Sequence, residues 1–127
     1  MAGVFQKHGV IAIEDMAYFG MDFREDYSVP FQPPYQPTIA RYMDEVFIVL
    51  SSSKLFSYAG ERCGLTIMPP KFAEKRYPAL RQRFTKAKVL EAFVHGGIYP
   101  TTSGVPQASQ AGLTALLNAT TNGEYDP

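Results

Sequence analysis

Apolar and polar positions alternate unevenly along the chain, and the runs they form predict a mixed order of helices and strands. Residues 3–8 read as the end of a helix, with Gly9 as its C-terminal stop. Val10-Ile11-Ala12-Ile13 is a short, nearly continuous apolar run, the pattern of a strand covered on both faces. It leads into Glu14-Asp15, two carboxylates at its C-terminal end. Residues 19–37 carry many Pro, Tyr, Phe and acidic residues and predict a long irregular loop. A short helix is predicted over Thr38–Tyr42. Val46-Phe47-Ile48-Val49-Leu50 is the clearest strand, and it runs directly into three serines and a lysine. Leu65-Thr66-Ile67-Met68 is a third strand, stopped by Pro69-Pro70.

Beyond that point the pattern becomes helical. Residues 71–93 predict helix interrupted at Pro78, residues 96–104 a Gly, Thr and Ser loop, and residues 105–119 an amphipathic helix. Its apolar face is expected to carry Val105, Ala108, Gly112, Leu113 and Leu116. This order implies an α/β sheet with helices packed on it. Ligands of such sheets bind at the carboxyl ends of strands. Asp15 to Tyr18 and Ser51 to Lys54 both fall at such ends.

Composition narrows the picture. At 127 residues the chain suits one domain, and Lys plus Arg balance Asp plus Glu at 12 each. That balance argues against a generic nucleic-acid binder. Basic residues do crowd positions 71–88, but a solvated helix face accounts for them better than an anion site. No apolar run approaches the ~18 residues that span a bilayer. The single cysteine, Cys63, excludes an internal disulfide and fits a reducing, cytoplasmic setting. His8 and His95 lack metal-ligand spacing, so no metal is expected.

Lys54 is the candidate for chemistry. Alone it would read as a surface lysine after a strand. Its neighbours change that: Ser51 and Ser53 could donate to phosphate oxygens, and Arg62 could grip the same phosphate as a fork. An amine beside a phosphate grip suits a phosphorylated aldehyde held as an imine. The G-x-x-x-x-G-K-[ST] pattern of the nucleotide-binding P-loop is absent. Asp15 could pair with a protonated pyridine nitrogen, and Tyr18 could donate to an oxygen on the same ring.

The series Asp15-Met16-Ala17-Tyr18, Ser51-Ser52-Ser53-Lys54 and Arg62-Cys63-Gly64 resembles the class I/II aminotransferases, pyridoxal-phosphate enzymes of fold type I. In that family D-x-x-Y precedes S-x-[SA]-K, and after seven intervening residues comes R-x-G, as here. Tyr99 to Leu117 is more loosely similar to the loop and helix that follow. The resemblance implies a portion of a mainly parallel-sheet large domain, with pyridoxal 5′-phosphate as cofactor. Lys54 would carry the internal aldimine and shuttle the Cα proton. Asp15 would hold the pyridinium nitrogen, Tyr18 the ring 3-oxygen, and Ser51, Ser53 and Arg62 the phosphate. The substrates would be an amino acid and a 2-oxo acid, and the full-length enzyme a homodimer, with no membrane or nucleic-acid partner. Residues 1–127 would be the C-terminal half of the large cofactor-binding domain, the rest of it and the small domain being absent. Such a fragment is expected to be inactive alone. Some dicarboxylate-specific members place an arginine just ahead of Tyr99; here His95, Gly96 and Gly97 stand nearby, which weakens an aspartate assignment. A carbon–sulfur β-lyase and a non-catalytic, self-associating domain are the alternatives.

Overall fold

The computed structural model describes residues 1–27 and 29–125. Helix α1 spans Ala2–His8 and ends at Gly9, whose φ of 61° is left-handed. A glycine adopts that conformation without the steric cost a β-carbon brings. Strand β1, Ala12–Met16, follows. Among the described residues the chain then has no helix or strand until a 3₁₀ turn at Ile39–Arg41, as the Pro- and Tyr-rich composition led us to expect. Strand β2, Val46–Ser51, passes directly into the single-turn helix α2, Ser52–Leu55. A second 3₁₀ turn at Ala59–Glu61 leads to strand β3, Gly64–Ile67.

The sheet has three strands in the order β1-β2-β3. β1 and β2 are parallel, with Asp15 opposite Val49 and Met16 opposite Leu50. β2 and β3 are antiparallel, with Ser51 opposite Gly64. The sheet is therefore mixed, where a mainly parallel one was expected. The reason is local: the residues from Ser52 to Cys63 are spent on a single helical turn and a 3₁₀ turn, which fold the chain back beside β2 without a helix crossing the sheet face.

Helices cover parts of both sheet faces. On one, Ala12, Met43 and Val46 form a core packed by Ala2 and Phe5 of α1 and by Ile39. On the other, Phe47 meets Phe72 edge-on at 5.0 Å and Phe93 at 5.4 Å. Phe72 belongs to α3, Pro70–Glu74, and Phe93 follows α5, Val89–Ala92. Between them lies α4, Pro78–Phe84. Pro78 starts this helix rather than breaking one, because the first helical position needs no N–H donor.

Two expectations change here. The β1 region is not covered on both faces: Ile13 is 73% exposed, and Val10 and Ile11 are also exposed and precede the strand. Residues 96–104 are not a loop. A π-helical turn at Phe93–Ile98 runs into α6, Tyr99–Thr102.

The long helix α7, Gln107–Thr121, packs on the segment after α2. Leu113 joins Phe56 and Cys63 in a second core, with Leu55, Tyr58 and Leu116 at its edge. Gly112, Leu113 and Leu116 lie on the inward face as expected, whereas Val105 is exposed. Ala108 faces outward, and Ser109 is buried because its hydroxyl donates to Glu61 Oε2 at 3.0 Å. Among the described residues no helix is long and apolar enough to cross a membrane, and no cluster of acidic, histidine or cysteine side chains could hold a metal ion.

Candidate functional site

The parallel pairing of β1 and β2 brings two separated sequence motifs to one end of the sheet. Asp15 is the penultimate residue of β1, and Ser51 is the last of β2. Tyr18 lies in the turn that follows β1, and Lys54 in the helical turn that follows β2. The Lys54 ammonium stands 5.6 Å from the centroid of the Tyr18 ring. A cation at that range is attracted by the ring's electron-rich face. Two residues thirty-six positions apart in sequence thus meet across the strand ends.

Strand alternation separates the two adjacent carboxylates. Glu14 turns to the α1 side, where it accepts from the Thr38 hydroxyl and from the Ile39 backbone N–H at 3.1 Å. It caps the 3₁₀ turn and is taken by the fold. Asp15 points to the other face and is exposed. Its Oδ1 accepts from the Ala17 N–H at 3.0 Å, which shapes the turn carrying Tyr18. A carboxylate has further lone pairs, so Asp15 retains capacity for a ligand.

The serines behave differently from one another. Ser51 is the N-cap of α2, and its Oγ accepts from the Ser53 N–H at 3.2 Å. A hydroxyl that accepts still has its own proton to donate. Ser53 is half-buried. Ser52, to which the sequence attached no role, is 5% exposed and donates its hydroxyl to the Cys63 carbonyl. Three identical side chains in a row hide this distinction; only the burial pattern of α2 reveals it.

Arg62 ends the 3₁₀ turn with φ 51° and ψ 43°, a left-handed conformation uncommon for a residue with a β-carbon. Its Nη1 donates to Ala59 O at 2.8 Å, so the guanidinium is folded against its own turn while the residue stays exposed. Cys63 is buried in the second core, which fits packing rather than catalysis. A β-carbon on Gly64 would sit 2.8 Å from the Leu50 carbonyl oxygen, so only glycine lets β3 lie this close to β2. The third position of the R-x-G motif is thereby explained by strand contact.

The arrangement is open to solvent. Asp15, Tyr18, Lys54 and Arg62 are all exposed. The apolar cleft of about 420 Å³ lies elsewhere, lined by Phe47, Phe72, Phe84 and Phe93 beneath the helices. Around these strand ends stand an exposed amine, guanidinium, carboxylate and phenol and two half-buried hydroxyls, of which Lys54 and Tyr18 are in contact.

No curated protein matches the chain in sequence. The family model described as aminotransferase class I and II matches residues 1–123. Members of that family generally use pyridoxal phosphate. With nearly its whole length covered and the D-x-x-Y, S-x-[SA]-K and R-x-G residues in order, the chain belongs to the class I and II aminotransferase family.

Proposed function

We propose that this chain carries the lysine-bearing part of the active site of a pyridoxal-phosphate-dependent aminotransferase, and that it corresponds to the second half of the large, cofactor-binding domain. The observation that carries the reading is the meeting of Lys54 with Tyr18 beside the strand ends that bear Asp15 and Ser51. The uncovered face at Ile13 supports the domain assignment, since an apolar strand face of that kind is ordinarily covered by a further layer.

Pyridoxal phosphate, when bound, supplies an electron sink for charge developing at the substrate Cα. The chain's own residues would hold and orient it. The Lys54 amine would hold the aldehyde end of the cofactor and, as a free amine, would serve as the base for the substrate Cα proton. The Asp15 carboxylate would keep a proton on the pyridine nitrogen by charge pairing. The Tyr18 hydroxyl would donate to the ring oxygen, and Ser51, Ser53 and Arg62 would hold the phosphate. The outcome is exchange of an amino group between an amino acid and a 2-oxo acid. A homodimeric, cytoplasmic enzyme is the expected setting, and substrate-recognition groups are expected outside these residues.

Reduction with borohydride after incubation with pyridoxal phosphate, followed by peptide mass spectrometry, tests the reading. The label is expected on Lys54 and is expected to disappear in Lys54→Ala. Equal labelling of the surface lysines would count against a formed site.

A further inference from the structure

One carbonyl joins the lysine segment to the arginine turn. Cys63 O accepts from the Ser52 backbone N–H at 3.4 Å and also from the Ser52 hydroxyl. Ser52 opens α2, two residues before Lys54, and it is the only buried serine of the run. Cys63 directly follows Arg62, whose left-handed backbone is disfavoured by its β-carbon and must be held by its surroundings. On the far side of Cys63, Gly64 is fixed against the Leu50 carbonyl. The Cys63–Gly64 peptide, one residue beyond Arg62, is therefore held by Ser52 and by β2 together.

We propose that Ser52 is a positioning residue that holds the Arg62 turn in fixed relation to Lys54, so that phosphate grip and amine act as one unit. This rests on the reading above, that Arg62 and Lys54 serve one phosphorylated aldehyde. Ser52 touches neither partner of the reaction; it acts through the Cys63 carbonyl. Ser52→Ala removes the hydroxyl contact but leaves the Ser52 N–H to satisfy that carbonyl, so the variant retains its fold.

The test compares pyridoxal phosphate with pyridoxal, which lacks the phosphate, by titration calorimetry. Ser52→Ala is expected to weaken pyridoxal phosphate about fivefold and to leave pyridoxal unchanged. In an Arg62→Ala background the same substitution is expected to add nothing, because the two residues act through one contact. Equal weakening of both ligands, or an undiminished effect without Arg62, would mean a general packing role and overturn the proposal. Amide hydrogen exchange on the unloaded chain gives a second, cofactor-free readout. Faster exchange confined to residues 62–64, with the β1–β2 ladder unchanged, is expected for Ser52→Ala; uniform or absent change overturns the proposal. If the unaltered chain binds the two ligands equally, the cofactor reading itself fails, and the exchange result still decides whether Ser52 holds the Arg62 turn.

Discussion

The two strand ends that form the candidate site are built to different standards. The β2 end is anchored: Ser52 and Cys63 are buried and joined, and α7 closes over Phe56 and Cys63 with Leu113. The β1 end is open. Asp15 and Tyr18 are exposed, Ile13 beside them is 73% exposed, and the described residues after Tyr18 form no helix or strand before Ile39. The lysine, the hydroxyls and the arginine thus sit on a packed platform, whereas the groups proposed for the pyridine ring sit on a sheet edge. A site needs rotamers locked by packing to hold geometry, and only the β2 end has that support within these residues.

The sharpest way to break this contrast is to remove the platform. Leu113→Ala empties the centre of the second core and should cost about 2–5 kcal/mol in chemical denaturation, the range for buried leucine truncation. A cost below about 1 kcal/mol would show that α7 is not what holds the lysine segment.

Gly64→Ala should come next, at about 1–3 kcal/mol. The new methyl would meet the Leu50 backbone oxygen at 2.8 Å, and a backbone atom cannot swing aside. Relief requires β3 to part from β2, which carries the Arg62 turn away from Ser51. A neutral substitution measured by thermal melting would contradict the close strand approach.

Much of this was legible in the sequence, for physical reasons that differ by element. Val46 to Leu50 announced a strand because a half-buried pleat favours β-branched and aromatic residues, and Gly9 announced a helix stop. Asp15, Tyr18, Ser51 and Lys54 were legible as strand-end residues, and parallel pairing puts them at one end of the sheet, where Lys54 meets Tyr18. What escaped was set by tertiary contact. Ser109 turns inward for Glu61 against its own polarity, and Ser52 is told from Ser51 and Ser53 only by a carbonyl eleven residues away. The antiparallel return of β3 and the helical course of residues 96–102 likewise depend on packing, which periodicity does not carry.

Charge gives a subtler comparison. Near the start of β2, Lys75 pairs with Glu45, and the Tyr77 hydroxyl donates to the same carboxylate at 3.3 Å. The Glu45 hydrogen bond, then Tyr77, raises the Lys75 pKa above its ordinary value. A raised pKa means stabilisation complete below the ordinary lysine value and lost as pH climbs through the raised one. In the irregular segment, the Arg24 hydrogen bond depresses Asp22 to about 2. That contribution is present above the ordinary carboxylate value and lost as pH falls toward about 2. Lys75 is exposed and Asp22 half-buried at the surface, so the effects are small and screened. Lys75 joins elements distant in sequence, while Asp22 and Arg24 are two residues apart. Alkaline unfolding should therefore lose part of its pH dependence in Glu45→Gln. Arg24→Gln should move only the Asp22 carboxyl midpoint in an NMR titration, leaving global stability unchanged.

The smallest expected effect is the one that most directly examines the open side. Ile13→Thr keeps the β-branch that suits a strand and changes only the apolar character of an exposed side chain. With 73% of Ile13 already in water, little apolar area is withdrawn on folding, and stability should change by less than about 0.5 kcal/mol. The measurement belongs at two protein concentrations well apart. A cost of about 2 kcal/mol that appears only at the higher one would mean that copies of the chain cover this face in solution, because association stabilises by mass action. The β1 end would then be open only in the single chain. An unchanged midpoint at both concentrations would leave Asp15 and Tyr18 on an uncovered edge, with the ring-binding half of the site dependent on contacts that these residues do not supply.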